Sequence, residues 1–178
     1  LRSAVETAAR VRDPEQLQRL MSVIQEDVQR LDRLITDISN ASRLDAELSR
    51  AESEPVDLAS ILHALADMYE TTRLPDGPVL DVQVADDEKM RVSGVEDRLV
   101  QVMRNLIANA QSFSPPNGKI VMKGSRTNGH VEVVVEDEGP GIPESKMTAI
   151  FDRFYTERPK GEKFGTHSGL GLSISKQI

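Results

Sequence analysis

The segment Glu136-Asp137-Glu138-Gly139-Pro140-Gly141-Ile142-Pro143 constrains the fold more than any other stretch. It follows Val131-Glu132-Val133-Val134-Val135, an alternating β-branched run that predicts a strand. A carboxylate therefore stands at a strand end, and two glycines turn the chain directly after it. Gly139 and Gly141 permit backbone angles and close approaches that other residues resist. Pro140 and Pro143 stiffen the same turn. Taken alone, the segment is compatible with an ordinary turn leaving a strand or with a backbone cradle. A second glycine segment favours the cradle. Gly165-Thr166-His167-Ser168-Gly169-Leu170-Gly171-Leu172 leads into a helical pattern over Ser173–Ile178. Glycines before a helix N-terminus leave free backbone N–H groups and a positive dipole end, which suits phosphate. No Gly-Lys-Ser/Thr follows at P-loop spacing, and no strand directly precedes the segment as in a dinucleotide fingerprint.

Composition narrows the function classes. The 178 residues suffice for one domain or two small ones, and 38% hydrophobic content supports a core. Aromatics are 3% with no Trp, so that core is aliphatic. A formal charge of −7, without a Lys/Arg run, argues against a nucleic-acid surface. The absence of Cys excludes disulfides and thiolate metal sites. No apolar run approaches the ~20 residues of a membrane span, and no signal peptide is apparent. Leu1 is not a start Met, and Ile178 stops inside a helical pattern, so a fragment of a longer protein is expected.

Along the chain, Leu1–Arg10 predicts a helix with Ala4, Val5, Ala8 and Ala9 on one side. Asp13 is placed to cap, and Pro14 to start, a second helix running to about Leu48. Its apolar positions Leu17, Leu20, Ile24, Val28, Leu31, Ile35 and Ile38 recur in steps of three or four, and Ser42 breaks the near-heptad seam. Two copies would bury such a seam as a four-helix bundle; the alternative is packing against the rest of the same chain. Residues 51–55 read as a linker, Ala51-Glu52-Ser53-Glu54-Pro55. Beyond it the pattern is mixed: a helix over Leu58–Thr72, a strand over Val79–Val84, an acidic turn at Asp86-Asp87-Glu88 and a short strand at Met90-Arg91-Val92. A helix over Val95–Ser114 stops at Pro115-Pro116. A hairpin then joins Lys119–Arg126 to His130–Glu136 around Thr127-Asn128-Gly129.

In the Val95–Ser114 helix, Leu99, Val102, Met103, Leu106, Ala110 and Phe113 share one face at helical spacing. Arg98, Gln101, Asn105, Asn109 and Ser112 form a polar stripe beside it. Asn is a poor mid-helix residue, so two of them at i and i+4 require a reason. Two remain open: a solvent edge, or a carboxamide oxygen held toward a hard cation such as Mg²⁺, which prefers oxygen ligands and is shared with substrate phosphates.

These residues resemble the sensor histidine kinases. Asn105-Leu106-Ile107-Ala108-Asn109-Ala110 resembles their N box, Asp137-Glu138-Gly139-Pro140-Gly141 their first glycine box, Phe151-Asp152-Arg153-Phe154-Tyr155 their F box, and Gly165–Leu172 their second glycine box. The resemblance implies an α+β chain. Residues 1–50 form a dimerisation and phosphotransfer hairpin that builds a dimeric four-helix bundle. Residues 56–178 form an α/β sandwich ATP-binding domain of the Bergerat (GHKL) type. It implies ATP and Mg²⁺ as ligands. Asn109 is then the metal ligand, with Asn105 on the same phosphate side. Asp137 accepts from the adenine amino group, Phe113 lies beside the base, and Gly139, Gly141 and Ile142 belong to the adenine side. Gly165, Thr166, Gly169, Leu170 and Gly171 frame the lid and the phosphates. Phe151 and Phe154 either anchor the lid base or are plain core aromatics.

Two departures stand out. Ser112 occupies a position where the family often carries Lys or Arg. The phosphoacceptor His, followed in the family by an acidic residue on the first hairpin helix, is not matched by His63, His130 or His167. Leu1–Glu6 resembles sequence just downstream of that position, so the acceptor is expected to lie upstream of Leu1. The expected function is the ATP-binding core of a two-component sensor, passing the γ-phosphate to a His and then to an Asp of a response regulator. The expected setting is a homodimer on the cytoplasmic side of a membrane-bound bacterial sensor. The alternatives are a pseudokinase that serves as a dimeric interaction module, and another GHKL ATPase.

Overall fold

The computed structural model describes residues 13–25, 28, 31, 35, 52–84, 90–156 and 169–178. Residues 14–25 are helical (α1), as are positions 28, 31 and 35. Asp13 begins α1 as expected: its Oδ1 accepts from the Glu15 N–H at 3.1 Å, and its carbonyl accepts from Leu17 N–H at 2.9 Å. Leu17, Met21, Val28, Leu31 and Ile35 are all exposed in the single chain. The expected helix over Leu1–Arg10 and the acidic turn at Asp86-Asp87-Glu88 lie outside the described residues, as does the stretch 36–51.

Strand β1, Glu54–Asp57, pairs antiparallel with β3, Arg91–Gly94, with Val56 opposite Val92. Glu54 and Pro55 thus enter a ladder, although their composition suggests a linker. Pro55 is tolerated because a two-stranded edge leaves room for a residue with no N–H to donate. Asp57 ends β1 and caps α2, Leu58–Thr72, by accepting from Ala59 and Ser60 N–H groups. The buried face of α2 is Leu58, Ile61, Leu62, Leu65 and Tyr69, at helical spacing. Tyr69 is tolerated inside because its hydroxyl donates to Pro78 O at 2.8 Å, and burial pushes its phenol above the ordinary range.

The main sheet has the order β2-β4-β5. Strand β2, Val79–Val84, runs parallel to β4, Lys119–Thr127. Helix α3, Glu96–Phe113, lies in the crossover between them, as a parallel pair requires. Strand β5, His130–Asp137, returns antiparallel to β4 through Asn128-Gly129, whose φ values of 53° and 83° make the hairpin turn expected of an Asn-Gly pair. The inward faces carry Leu80, Val82, Val84, Met122, Val131, Val133 and Val135 into one core with α2 and α3. Each large side chain buried there contributes about 1.5–3 kcal/mol. Gly124 interrupts β4 because Met90 fills the space: a Cβ at Gly124 would meet its Sδ at 2.6 Å. The outward faces carry ion pairs, Lys119–Asp81 and Lys123–Glu136. The Lys119 ammonium holds the Asp81 carboxyl below the usual carboxylate range.

Helix α3 faces the core slightly differently from the expected stripe. Met103, Ile107 and Ala110 are buried, with Leu99, Val100 and Val102 packed half-buried against the core, whereas Leu106 and Phe113 stay outside it. Rows four residues apart incline across a helix, so the sheet and α2 collect the row 99-103-107. Phe113 is thereby left at the rim.

Candidate functional site

The site is built around the two glycine segments and the helix between them. Asp137 is the last residue of β5, and its Oδ1 accepts from Gly139 N–H at 2.8 Å, which closes the turn. Gly139 is required by contact: a Cβ there would lie 2.5 Å from Asp137 Oδ1, 2.9 Å from Phe113 O and 3.2 Å from Phe113 Cβ. The first glycine turn is therefore pressed onto the C-terminal end of α3. Gly141 is required by conformation, with φ of 73° and open space where a Cβ would stand. Ile142 beside it is exposed. Glu138 fastens the turn to the sheet by accepting from the Lys119 N–H at 3.0 Å.

Gly165, Thr166 and His167, from the second glycine segment, lie outside the described residues. From Gly169 onward the geometry is defined. Gly169 has φ of 71°, and its carbonyl accepts from Phe154 N–H at 2.9 Å. A Cβ at Gly169 would come within 2.7 Å of Phe154 C and Tyr155 O, so glycine is required there by both conformation and contact. Leu170 is buried with Ile174 beneath helix α4, Gly171–Gln177, so it offers a ligand only its backbone. Its carbonyl is taken up by Ile174 N–H at 2.9 Å and by Ser173 Oγ at 2.8 Å.

Asn105, Asn109 and Phe113 follow one another at i, i+4 and i+8 on α3. Asn105 meets the second segment: its Nδ2 donates to Gly171 O at 3.0 Å and to Ser175 Oγ at 3.2 Å. Phe113 meets the first, through Gly139. Asn109 stands one turn from each, half-buried, and its side chain makes no hydrogen bond to the described residues. Asn105 and Asn109 thus separate in role: one carboxamide is engaged by the protein, the other is available. Among the described residues no group of three or more His, Cys, Asp or Glu is placed to hold a metal. A cation here would take Asn109 Oδ1 together with oxygens of a bound phosphate, which suits a hard ion of Mg²⁺ type.

The F-box aromatics are not core residues. Phe151 is exposed with Lys176 Nζ 5.2 Å from its ring centroid. Phe154 is 58% exposed and has a φ of 68°, a left-handed value held by its contact with Gly169. Of the histidines, His63 is exposed on α2 and His130 is exposed at the start of β5. Two features were absent from the sequence argument: the partnership of Asn105 with Ser175, and a buried Ser114 hydroxyl that has no hydrogen-bond partner. A separation of 70 residues leaves no local pattern from which the Asn105–Ser175 pairing could be inferred.

Comparison with known proteins finds relatives of the whole chain. Residues 94–178 match the family of histidine kinase-, DNA gyrase B- and HSP90-like ATPases, which implies ATP binding. The sensor protein ChvG of Rhizobium meliloti (strain 1021) is 53% identical over 184 residues, covering 100% of this chain and 32% of the relative. The chain therefore spans about a third of the length of the curated relatives it matches first. The mycobacterial sensor histidine kinase MprB is 32% identical, with a TM-score of 0.59 over 70% of this chain and 76% of that one. The histidine kinase ThkA, solved in complex with the response regulator protein TrrA, is 25% identical, with a TM-score of 0.65 over 87% of this chain and 47% of that one. Among the described residues no helix is long and apolar enough to cross a membrane. An α+β ATPase domain with its N box set between two glycine segments, and relatives that match along the whole chain, make this protein a member of the sensor histidine kinase family.

Proposed function

We propose that this chain is the ATP-binding catalytic core of a two-component sensor histidine kinase. The observation that carries the proposal is the row Asn105–Asn109–Phe113, which touches one glycine segment at each end and leaves the Asn109 carboxamide unengaged between them. ATP lies along this row. Asp137 accepts from the adenine amino group, and Phe113, Gly139, Gly141 and Ile142 border the base. Asn105, Gly165, Thr166, Gly169, Leu170 and Gly171 border the phosphates, the last two through backbone groups. Asn109 Oδ1 would hold Mg²⁺, which would supply neutralisation of phosphate charge there. The chain's own part is positioning: the glycines bring backbone close to the ligand, and the clasp between Phe154 and Gly169 holds the base of the second segment.

The remaining assignments rest on the relatives and on the N-terminal pattern. Residues 1–50 form the phosphotransfer hairpin, whose exposed seam is covered by a second copy in a four-helix bundle. Residues 51–55 lead into the nucleotide domain, 56–178. The phosphoryl group passes to a His and then to an Asp of a response regulator, the partner class that ThkA was captured with. The chain serves as the cytoplasmic part of a membrane-bound bacterial sensor, as its relatives named sensor proteins suggest.

Calorimetric titration with ATP and Mg²⁺ tests the nucleotide site. The wild-type chain is expected to bind, and Asp137→Asn to lose binding, because an amide donor would then face the adenine amino group unpaired. Unchanged affinity in Asp137→Asn would remove Asp137 from the site. A wild-type chain that binds no nucleotide would favour an interaction module that has lost catalysis.

A further inference from the structure

We propose that Asn105 is a positioning residue that locks helix α4, and with it Gly169–Gly171, onto the helix that carries Asn109. The inference deepens the nucleotide reading above and rests on it for its effect on ligand binding. Its structural half stands on the geometry alone. Asn105 Nδ2 donates to Gly171 O at 3.0 Å and to Ser175 Oγ at 3.2 Å, while Ser175 Oγ itself donates to Gly171 O at 2.8 Å. The three groups close a small ring. Both N–H donors of the carboxamide are used within the protein, so none is left for a phosphate oxygen.

The lock acts where α4 packs directly on α3. Within this chain helix α4 spans 7 residues. Its apolar anchor is small: buried Leu170 and Ile174, with Ile178 packed against them. That anchor is separate from the main core cluster, and α4 packs on α3 directly. Two further tethers, Arg153 to Gln177 at 3.5 Å and Lys176 over Phe151 at 5.2 Å, are exposed and tie the far end of α4 to the F box. At the glycine end of α4, Asn105 makes a polar link from α3. Gly171 packs against it without strain, since a Cβ there would lie 3.5–3.7 Å from Asn105 atoms. Asn105 therefore sets the distance between Asn109 and the backbone of Gly169–Gly171. Those are the two groups that must meet one triphosphate from opposite sides.

Two variants and two readouts test this. In the nucleotide-free 178-residue chain, Asn105→Ala is expected to speed amide hydrogen exchange over residues 172–178 by about 3- to 10-fold, the loss of one or two ordinary hydrogen bonds, without comparable change in α2. Ser175→Ala should produce a smaller change in the same segment. The double variant should add little to Asn105→Ala, because both substitutions break the same ring. The second readout is nucleotide affinity. Asn105→Ala should weaken ATP and ADP by a similar factor, with and without Mg²⁺, and Ser175→Ala should follow in the same direction. Two results would overturn the proposal. One is unchanged exchange of α4 in Asn105→Ala. The other is a loss confined to Mg·ATP with Ser175→Ala silent, which would make Asn105 a direct phosphate or metal contact. If the wild-type chain binds no nucleotide, the function proposed above fails, while hydrogen exchange still decides whether Asn105 locks α4.

Discussion

Four glycines that look alike in the sequence do four different things at the residue scale. Gly139 is needed because Phe113 and Asp137 leave no room for a Cβ. Gly141 is needed for its φ of 73°, and Gly169 for both reasons at once. Gly171 is needed for neither, since its surroundings admit a Cβ at ordinary contact distance. Gly169→Ala should therefore destabilise the chain by about 1–3 kcal/mol, the size of a forced backbone strain. Gly171→Ala should leave stability unchanged or raise it by roughly 0.5 kcal/mol through the unfolded state. Urea denaturation of the two variants checks the contrast, and equal losses would contradict it. The positions of the glycines were legible in the sequence, but the distances that separate contact from conformation belong to residues far away in the chain. The same holds for the asparagines. Their i, i+4 spacing marks a shared stripe, yet only the arrival of α4 engages one and leaves the other available.

Capping and pairing decide what forms at the scale of elements. Asp57 illustrates both, because it closes the β1–β3 ladder opposite Arg91 and caps α2 through two backbone N–H groups. Asp57→Ala should destabilise the chain by about 1 kcal/mol, read from the urea midpoint. No change would mean that the junction is held by packing alone. Helices α2 and α3, strand β2 and the hairpin β4–β5 fall within a residue or two of their sequence expectations, because each carries a strong period and clear stop signals. Strand β1 was not legible. Its four residues include a proline and follow one acidic and one small polar residue, and its pairing with β3 is made across an intervening helix and strand. The F box was legible as a motif but not as a surface. Phe151 and Phe154 would be core residues by composition, and it is the clasp of Phe154 to Gly169 that turns the segment outward.

Two expectations belong to the whole molecule. The seam positions Leu17, Val28, Leu31 and Ile35 face solvent in the single chain, with Leu31 44% exposed and Ile35 62% exposed. Burying one such side chain contributes about 1.5–3 kcal/mol, so a second copy gains substantially by covering the row. Sedimentation should show a dimer at micromolar concentration and monomers for Leu31→Asp, whereas a monomeric wild type would refute the bundle. The second concerns labelling with γ-labelled ATP. Nucleotide and metal lower the barrier only for a nucleophile held in place. His63 and His130 are exposed on the nucleotide domain, away from any helix position followed by an acidic residue. The 178-residue chain should bind ATP and remain unlabelled on an alkaline gel. Label lost on His63→Gln or His167→Gln would identify a different acceptor.

The family motifs, the succession of most elements and the turn types were legible in the chain before it was folded. All of these are written in short windows, where side-chain period, glycine, proline and capping residues act directly on the backbone. The sheet order β2-β4-β5, the outward turn of the F-box aromatics and the separate fates of Asn105 and Asn109 emerge only on folding. Each of these depends on groups tens of residues apart meeting at hydrogen-bond or van der Waals distance, and no local pattern encodes where such groups meet.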